Sequence, residues 1–190
     1  MKTAIFLVTT FLITSNAFGQ PKDEDATYKK HFIGSTAFML ANLTEDSPNY
    51  YQLNYGYRMT PKDVISIELI TWEYKGPLGR PYDKVSENTD YPGHVQAFGV
   101  GFAYKRFLWE SLYAAIHMTA LHQNYFDKNR KKIQSGFQLF NTARIGYQFK
   151  FFDDDFFIEP SVAATFWPIN TNLPQSFQVE EDKWDNYFWG

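Results

Sequence analysis

Cysteine is absent from the 190 residues. That excludes disulfide staples, thiolate metal sites, cysteine nucleophiles and a lipid anchor on an N-terminal cysteine. Net charge is also scarce: 18 Lys and Arg against 21 Asp and Glu leave −3, without the basic excess of a dedicated nucleic-acid binder. No stretch reaches the roughly 18 apolar residues of a transmembrane helix. A P-loop, a glycine-rich dinucleotide fingerprint and a nucleophile elbow are all missing. What the chain has in plenty is aromatic rings. It holds 19 Phe, 13 Tyr and 5 Trp, or 19% of its residues, yet mean hydropathy is −0.41. So many large rings are hard to bury in the core of one small domain.

The first residues read as an address. Met1 and Lys2 give a positive start, and Ala4 to Ile13 is an apolar run broken only by Thr9 and Thr10. Ala17-Phe18-Gly19 then supplies small residues at the positions a signal peptidase reads, with cleavage before Gln20. The expectation is a secretory signal over 1–19, a flexible polar lead-in over 20–30 and an exported mature chain.

From residue 31 onward the pattern has period two. Tyr51, Leu53, Tyr55 and Tyr57 alternate with Gln52, Asn54, Gly56 and Arg58; Phe98, Val100, Phe102 and Tyr104 oppose Ala97, Gly99, Gly101 and Ala103. Successive side chains of a strand point to opposite faces, so these are two-faced strands. The alternation predicts an all-β fold of eight strands, at about 31–42, 49–58, 63–74, 94–105, 110–122, 134–149, 155–167 and 184–190. Most exceed the usual globular strand and match the length of a tilted strand crossing a bilayer. Short connections at 59–62, 106–109 and 150–154 alternate with longer ones at 43–48, 75–93, 123–133 and 168–183. Sorting loops by parity is a habit of outer-membrane barrels.

Two closed barrels fit eight such strands. A lipocalin-like carrier, soluble in the periplasm, puts its apolar face inside. A membrane barrel inverts this, with rings and branched aliphatics toward lipid and a polar lumen. Glycines and alanines opposite large rings favour the inverted form, because small residues suit a narrow lumen. Rings at the strand ends (Tyr50, Trp72, Tyr74, Phe107, Trp109, Tyr125, Phe149, Phe151, Phe152, Phe157, Trp167, Trp184) are expected to form the two interfacial girdles.

With its signal, alternation and loop parity, the span 31–190 resembles the small eight-stranded outer-membrane β-barrel proteins of Gram-negative bacteria, the OmpA/OmpX/OmpW-like barrels. Phe157-Ile158-Glu159-Pro160-Ser161 followed by Phe166-Trp167-Pro168-Ile169-Asn170-Thr171-Asn172 is similar to Bacteroidota members of that class. The resemblance implies an antiparallel up-and-down transmembrane barrel in the cell outer membrane. It implies contact with outer-membrane lipid, lipopolysaccharide and the barrel-assembly machinery. It carries no catalytic motif. One departure is the last strand, Asn186-Tyr187-Phe188-Trp189-Gly190, about half the length needed to span. The expectation is a chain cut short after Gly190, or closure by an irregular strand.

Arg58, Glu68, His117, Gln138, Arg144, Gln148 and Glu159 fall on lumen-facing positions. Charges in a narrow lumen must pair, so Arg58 and Arg144 are expected to pair with Glu68 and Glu159 as a plug. The enzyme alternative is a lipid A deacylase-like hydrolase, which needs a His, a Ser nucleophile and an acidic orienter. His117, His122, Ser111, Ser135, Ser161 and Glu159 are its candidates, but His117-Met118-Thr119 offers Thr where that chemistry uses Ser. No metal or cofactor is expected: the histidines at 31, 94, 117 and 122 lack ligand spacing, and Asp153-Asp154-Asp155 reads as a solvated turn. Lys128, Arg130, Lys131 and Lys132 cluster in one outer loop, where they suit lipopolysaccharide phosphates. The function expected is non-enzymatic: structural, surface-contact or limited transport, by a monomer.

Overall fold

The computed structural model describes residues 9–13, 29–43, 47–76, 91–183 and 185–189. The expected cleavage site, most of the lead-in, the middle of the 75–93 loop, Trp184 and Gly190 lie outside the described residues.

Alternation folds as alternation should. The strands are β1 (Thr9–Ile13), β2 (His31–Gly34), β3 (Tyr51–Arg58), β4 (Asp63–Tyr74), β5 (Gly93–Trp109), β6 (Leu112–Asp127), β7 (Lys132–Tyr147), β8 (Phe149–Phe151), β9 (Phe156–Thr171) and β10 (Tyr187–Trp189). All belong to one antiparallel sheet ordered β1-β9-β7-β6-β5-β4-β3-β2, with β8 and β10 also on β9. β8 continues β7 after a break at Gln148, whose N–H turns aside to the Ser111 carbonyl, 2.9 Å away. The sheet curls into a half-barrel. Its curvature brings β5 against β9 through Lys105 and Glu159, and β2 against β9 through the rings of Phe32 and Phe157, 5.5 Å apart.

Four differences from the sequence expectations have physical causes. The strand expected over 31–42 stops at Gly34, and Ala37–Leu43 is a 3-10 segment. Thr36 starts it, its hydroxyl accepting the Phe38 N–H (3.3 Å) and its carbonyl the Met39 N–H (3.2 Å). Asn42 then stands in for a strand partner: its carboxamide donates to the Tyr50 carbonyl (2.7 Å) and accepts the Tyr50 N–H (2.8 Å). The loop expected over 123–133 shrinks to four residues between β6 and β7. Asp127 Oδ1 ties this turn by accepting the N–H groups of Asn129 (2.8 Å) and Lys131 (2.9 Å). The 168–183 loop instead holds the end of β9 and a helix, α1 (Gln175–Glu181), launched from Pro174. Finally, Thr9–Ile13, inside the segment read as a signal, pairs with Phe156–Pro160 of β9. An open strand edge beside a short apolar segment invites such pairing.

The two faces of the sheet divide sharply by chemistry. Outward, Tyr51, Leu53, Tyr55, Ile67, Leu69, Phe98, Val100, Phe102, Ile116, Met118, Ile145 and Val162 are all exposed. Inward and buried lie Asn54, Glu68, Thr119, Gln123, Gln138, Gln148, Glu159 and Ser161. The inner face also carries two apolar clusters, but a buried set this rich in amides and charges is unusual.

Candidate functional site

The interior is built in three layers. At the end carrying the short turns, Phe32, Val64, Phe107, Tyr113 and Phe157 pack together. Glycine makes the fit possible: the Phe32 ring lies directly on Gly56, where any Cβ would overlap it. At the loop end, Tyr74, Tyr91, Val95, Leu121, Tyr125 and Trp167 form a second cluster. Helix α1 drives Phe177 into this cluster, fully buried. Gln123 joins the tyrosines there, donating to Tyr74 Oη (2.9 Å) and accepting from Tyr125 Oη (2.5 Å). These clusters correct the expected girdles. Trp72, Tyr74, Phe107, Tyr125, Phe157 and Trp167 point inward, while Trp109, Phe149, Phe151 and Phe152 are exposed. At a strand end, parity rather than position decides which way a ring faces.

Between the layers runs a belt of charge. Lys105 of β5 reaches both carboxylate oxygens of Glu159 on β9, 2.6 Å to Oε2. Gln148 Nε2 adds a bond to Oε1 of the same carboxylate, 2.8 Å. The Lys105 ammonium also lies 4.7 Å from the centroid of the Tyr113 ring, a cation–π distance. On the next strands, His117 Nδ1 donates to Glu68 Oε1 at 2.8 Å. Gly101 gives this pair its room: a Cβ there would stand 2.8 Å from Thr119 Oγ1 and 3.1 Å from Glu68 Oε2.

Of the seven lumen residues expected from parity, Arg58, Glu68, His117, Gln138, Arg144 and Glu159 lie on the inner faces of their strands, and Gln148 is buried at the break between β7 and β8. Both carboxylates take hydrogen bonds from residues other than the arginines that the expectation named. Glu159 is held by Lys105 and Gln148, and Glu68 by His117. Arg58 sits lower, its guanidinium 5.4 Å from the centroid of the Phe107 ring, and Arg144 borders the central cavity. Lys105 was not among the expected residues. Yet it is the next inward position after Ala97, Gly99, Gly101 and Ala103, so the signal was present one step beyond the run.

His117 Nε2, Trp72 Nε1 and Gln138 Oε1 are buried without a hydrogen-bond partner. His117 therefore has its acidic orienter, but its other nitrogen meets no hydroxyl. Of the other candidates for hydrolytic chemistry, His122 is exposed and Ser135 spends its hydroxyl on Asn124 Oδ1, 2.8 Å away. No group of three or more His, Asp or Glu able to hold a metal occurs among the described residues. Asp154 takes Lys150 at 2.6 Å and Asp155 takes Lys29. Lys128, Arg130, Lys131 and Lys132 are all exposed around the β6–β7 turn.

A central cavity of about 190 Å³ occupies the belt and reaches up to Trp72 and Phe140. Outside the sheet, polar groups gather at the short-turn end. Tyr104 and Arg106 both donate to Asp63 Oδ1 at 2.6 Å, and Tyr55 Oη lies 2.7 Å from His31 Nδ1.

No protein-family model, no curated protein and no solved structure matches this chain.

Proposed function

We propose that the chain is a membrane-embedded β-barrel of the outer-membrane type, exported on a cleavable signal, with a filled interior and a structural or surface-contact role. The observation that carries this reading is the inversion of the two faces: large apolar side chains outward, charges and amides inward. In water, the outward band is an exposed apolar surface far larger than a monomer tolerates. In a bilayer it is the lipid-facing surface, and the inward amides and charges are what such barrels enclose. Strand length agrees. β5 has 17 residues and β6, β7 and β9 have 16 each, more than the roughly 9–11 a tilted strand needs to cross. The Asp63–Tyr104–Arg106 and His31–Tyr55 groups suit the headgroup level at one rim.

The interior argues for a plug rather than a pore. Aromatic layers close both ends of the belt, and Lys105 and Glu159 bridge it. Transport, if any, is limited. The exposed cations of the β6–β7 turn are the part of the surface suited to anionic lipopolysaccharide phosphates. The deciding experiment is expression with export, followed by membrane fractionation and gel electrophoresis with and without boiling. Heat-modifiable mobility in the outer-membrane fraction is expected. A soluble periplasmic product with heat-insensitive mobility sinks the proposal.

A further inference from the structure

One edge of β9 is hydrogen-bonded to β7 and its continuation β8. The other edge carries two short strands laid end to end. β1 pairs antiparallel with it, from Thr9 opposite Pro160 to Ile13 opposite Phe156. β10 also pairs antiparallel, from Tyr187 opposite Phe166 to Trp189 opposite Ala164. Both therefore run in the same direction on one line. From Phe156 to Phe166 that line has places for 11 residues, the length of one tilted strand crossing a bilayer, roughly 9–11. Among the described residues, neither piece stands opposite 161–163. β1 and β2 are the two ends of the sheet order, yet β1 runs beside β2 and the 3-10 segment. The sheet thus ends in a slot between β9 and β2, one wall of which is a row of backbone groups that need a strand.

We propose that 156–163 of this edge is a docking site for an extended peptide of about eight residues, added antiparallel to β9 and occupied in cis by Thr9–Ile13. Backbone pairing supplies the affinity of such a site, and alternate side chains supply its selectivity. On β9, Val162 is exposed outward, whereas Phe157, Glu159 and Ser161 are buried inward. A docked residue shares the face of the residue it opposes. Places opposite Phe156, Ile158 and Val162 therefore take large apolar side chains, and those opposite Glu159 and Ser161 take small or hydroxyl ones. The place opposite Phe157 borders the apolar cluster of the short-turn end and takes an apolar residue. A carboxylate opposite Glu159 is disfavoured by like charge. Thr9–Ile13 has this order, with Thr10 opposite Glu159, Phe11 opposite Ile158 and Leu12 opposite Phe157. Cleavage before Gln20 removes β1 and leaves the slot open to a peptide in trans. That last step rests on the signal reading; the slot itself does not.

The test uses the full chain folded in a nonionic detergent, which has no cysteine of its own. In Phe11→Cys with Ile158→Cys, mild oxidation should give an intrachain disulfide, and Phe11→Cys with Ala164→Cys at least tenfold less. Should Ile158→Cys fail to fold by near-UV dichroism, Ile13→Cys with Phe156→Cys takes its place, with the cysteines moved likewise below. The slot is vacated without shortening the chain by Phe11→Pro with Leu12→Pro. Successive N–H groups of a strand point to opposite sides, so one of the two prolines removes a bond to β9. This variant with Ile158→Cys is oxidised beside a synthetic peptide spanning 6–15 that bears Phe11→Cys. It should capture the peptide at least tenfold more than Ile158→Cys alone, whose slot is filled. It should also prefer that peptide at least tenfold over one of scrambled order and over one that also bears Thr10→Glu. No intrachain disulfide, equal cross-linking at 158 and 164, equal capture by filled and vacated slots, or equal capture of the scrambled peptide would each overturn the proposal. Ile158→Cys dimers in place of peptide adducts would assign the slot to a second copy and overturn it too. Retention of 1–19 in the exported protein counts against cleavage alone and leaves these measurements standing.

Discussion

The ion pair joining β5 to β9 permits a quantitative test of how the half-barrel holds its curl. Lys105 and Glu159 side chains are 12% and 4% exposed, so neither retains much hydration. Replacing Lys105 by Met leaves a buried carboxylate still bonded to Gln148 but without its ammonium. Breaking a buried pair in this way costs about 3–5 kcal/mol, and the lost contact with the Tyr113 ring adds about 0.5–2 kcal/mol. Glu159→Gln leaves the ammonium stranded at a similar cost. The double variant removes both charges together. Its Met lies among the rings that surrounded the ammonium, where sulfur–aromatic contact is favourable, and its net cost should fall to about 1 kcal/mol or less. The coupling between the two sites is then several kcal/mol, far above that of independent sites. Urea titrations of the vesicle-inserted protein, scored by folded and unfolded gel bands, measure all four corners of the cycle. Single variants costing under about 1 kcal/mol, the behaviour of a solvated surface pair, would refute the reasoning. So would a double variant whose cost equals the sum of the singles.

Three further outcomes follow from the same geometry. Gly101→Val pushes methyls into Thr119 and Glu68 and should cost about 1–3 kcal/mol in the same urea titration, whereas Val at outward-facing Ala120 should cost little. Val100→Arg, midway along β5 and exposed, should cost about 2–4 kcal/mol in vesicles if that face meets lipid; a change within about 0.5 kcal/mol, usual for a water-facing site, would contradict the membrane reading. Burial raises the Glu181 carboxyl to about 7 against the partial relief of the Tyr91 hydroxyl bond. The folded state therefore holds its proton more tightly than the unfolded state. Docking of α1 gains stability that is complete below about pH 4.5 and lost as pH rises through about 7, at most about 3 kcal/mol. Hydrogen exchange of 172–183, corrected for intrinsic rates, should show greater protection at pH 5 than at pH 8, and Glu181→Gln should flatten the difference.

Period-two alternation made the sheet legible because it reports a direct geometric constraint. Inward Gly99 and Gly101 against outward Phe98 and Val100 set the direction of the sheet at once, and the same parity identifies Glu68, His117, Arg144 and Glu159 as inner residues. The misreadings came where local contacts override pattern. Phe38-Met39-Leu40 reads as strand by composition, but the Thr36 hydroxyl and the Asn42 carboxamide divert it into a 3-10 segment. Helix α1 lies in a Pro- and Asn-flanked stretch, and what fixes it is tertiary: Phe177 buried beneath Tyr91 and Tyr125. Partner choice within the belt was illegible for a related reason. Sequence gives the face of a residue but not its height relative to strands several positions away in the sheet, and height decides that Lys105 reaches Glu159.

The aromatic surplus resolves into two populations with different work to do. One lies outward along the strands and is exposed. The other, at the two ends of the interior, shields the belt between them. Shielding matters because a charge pair gains strength only where water is kept away, and the same exclusion makes each pair costly to break. Phe32, Tyr113 and Phe157 sit directly about the Lys105 ammonium, so the rings that seal the short-turn end also hold the cation of the bridging pair. If that account is right, sealing and bridging are one function. Phe157→Ala should then weaken the Lys105–Glu159 coupling measured in the cycle above, beyond its own cost in packing of about 3–5 kcal/mol. A coupling energy unchanged in the Phe157→Ala background would mean that the rings merely fill space.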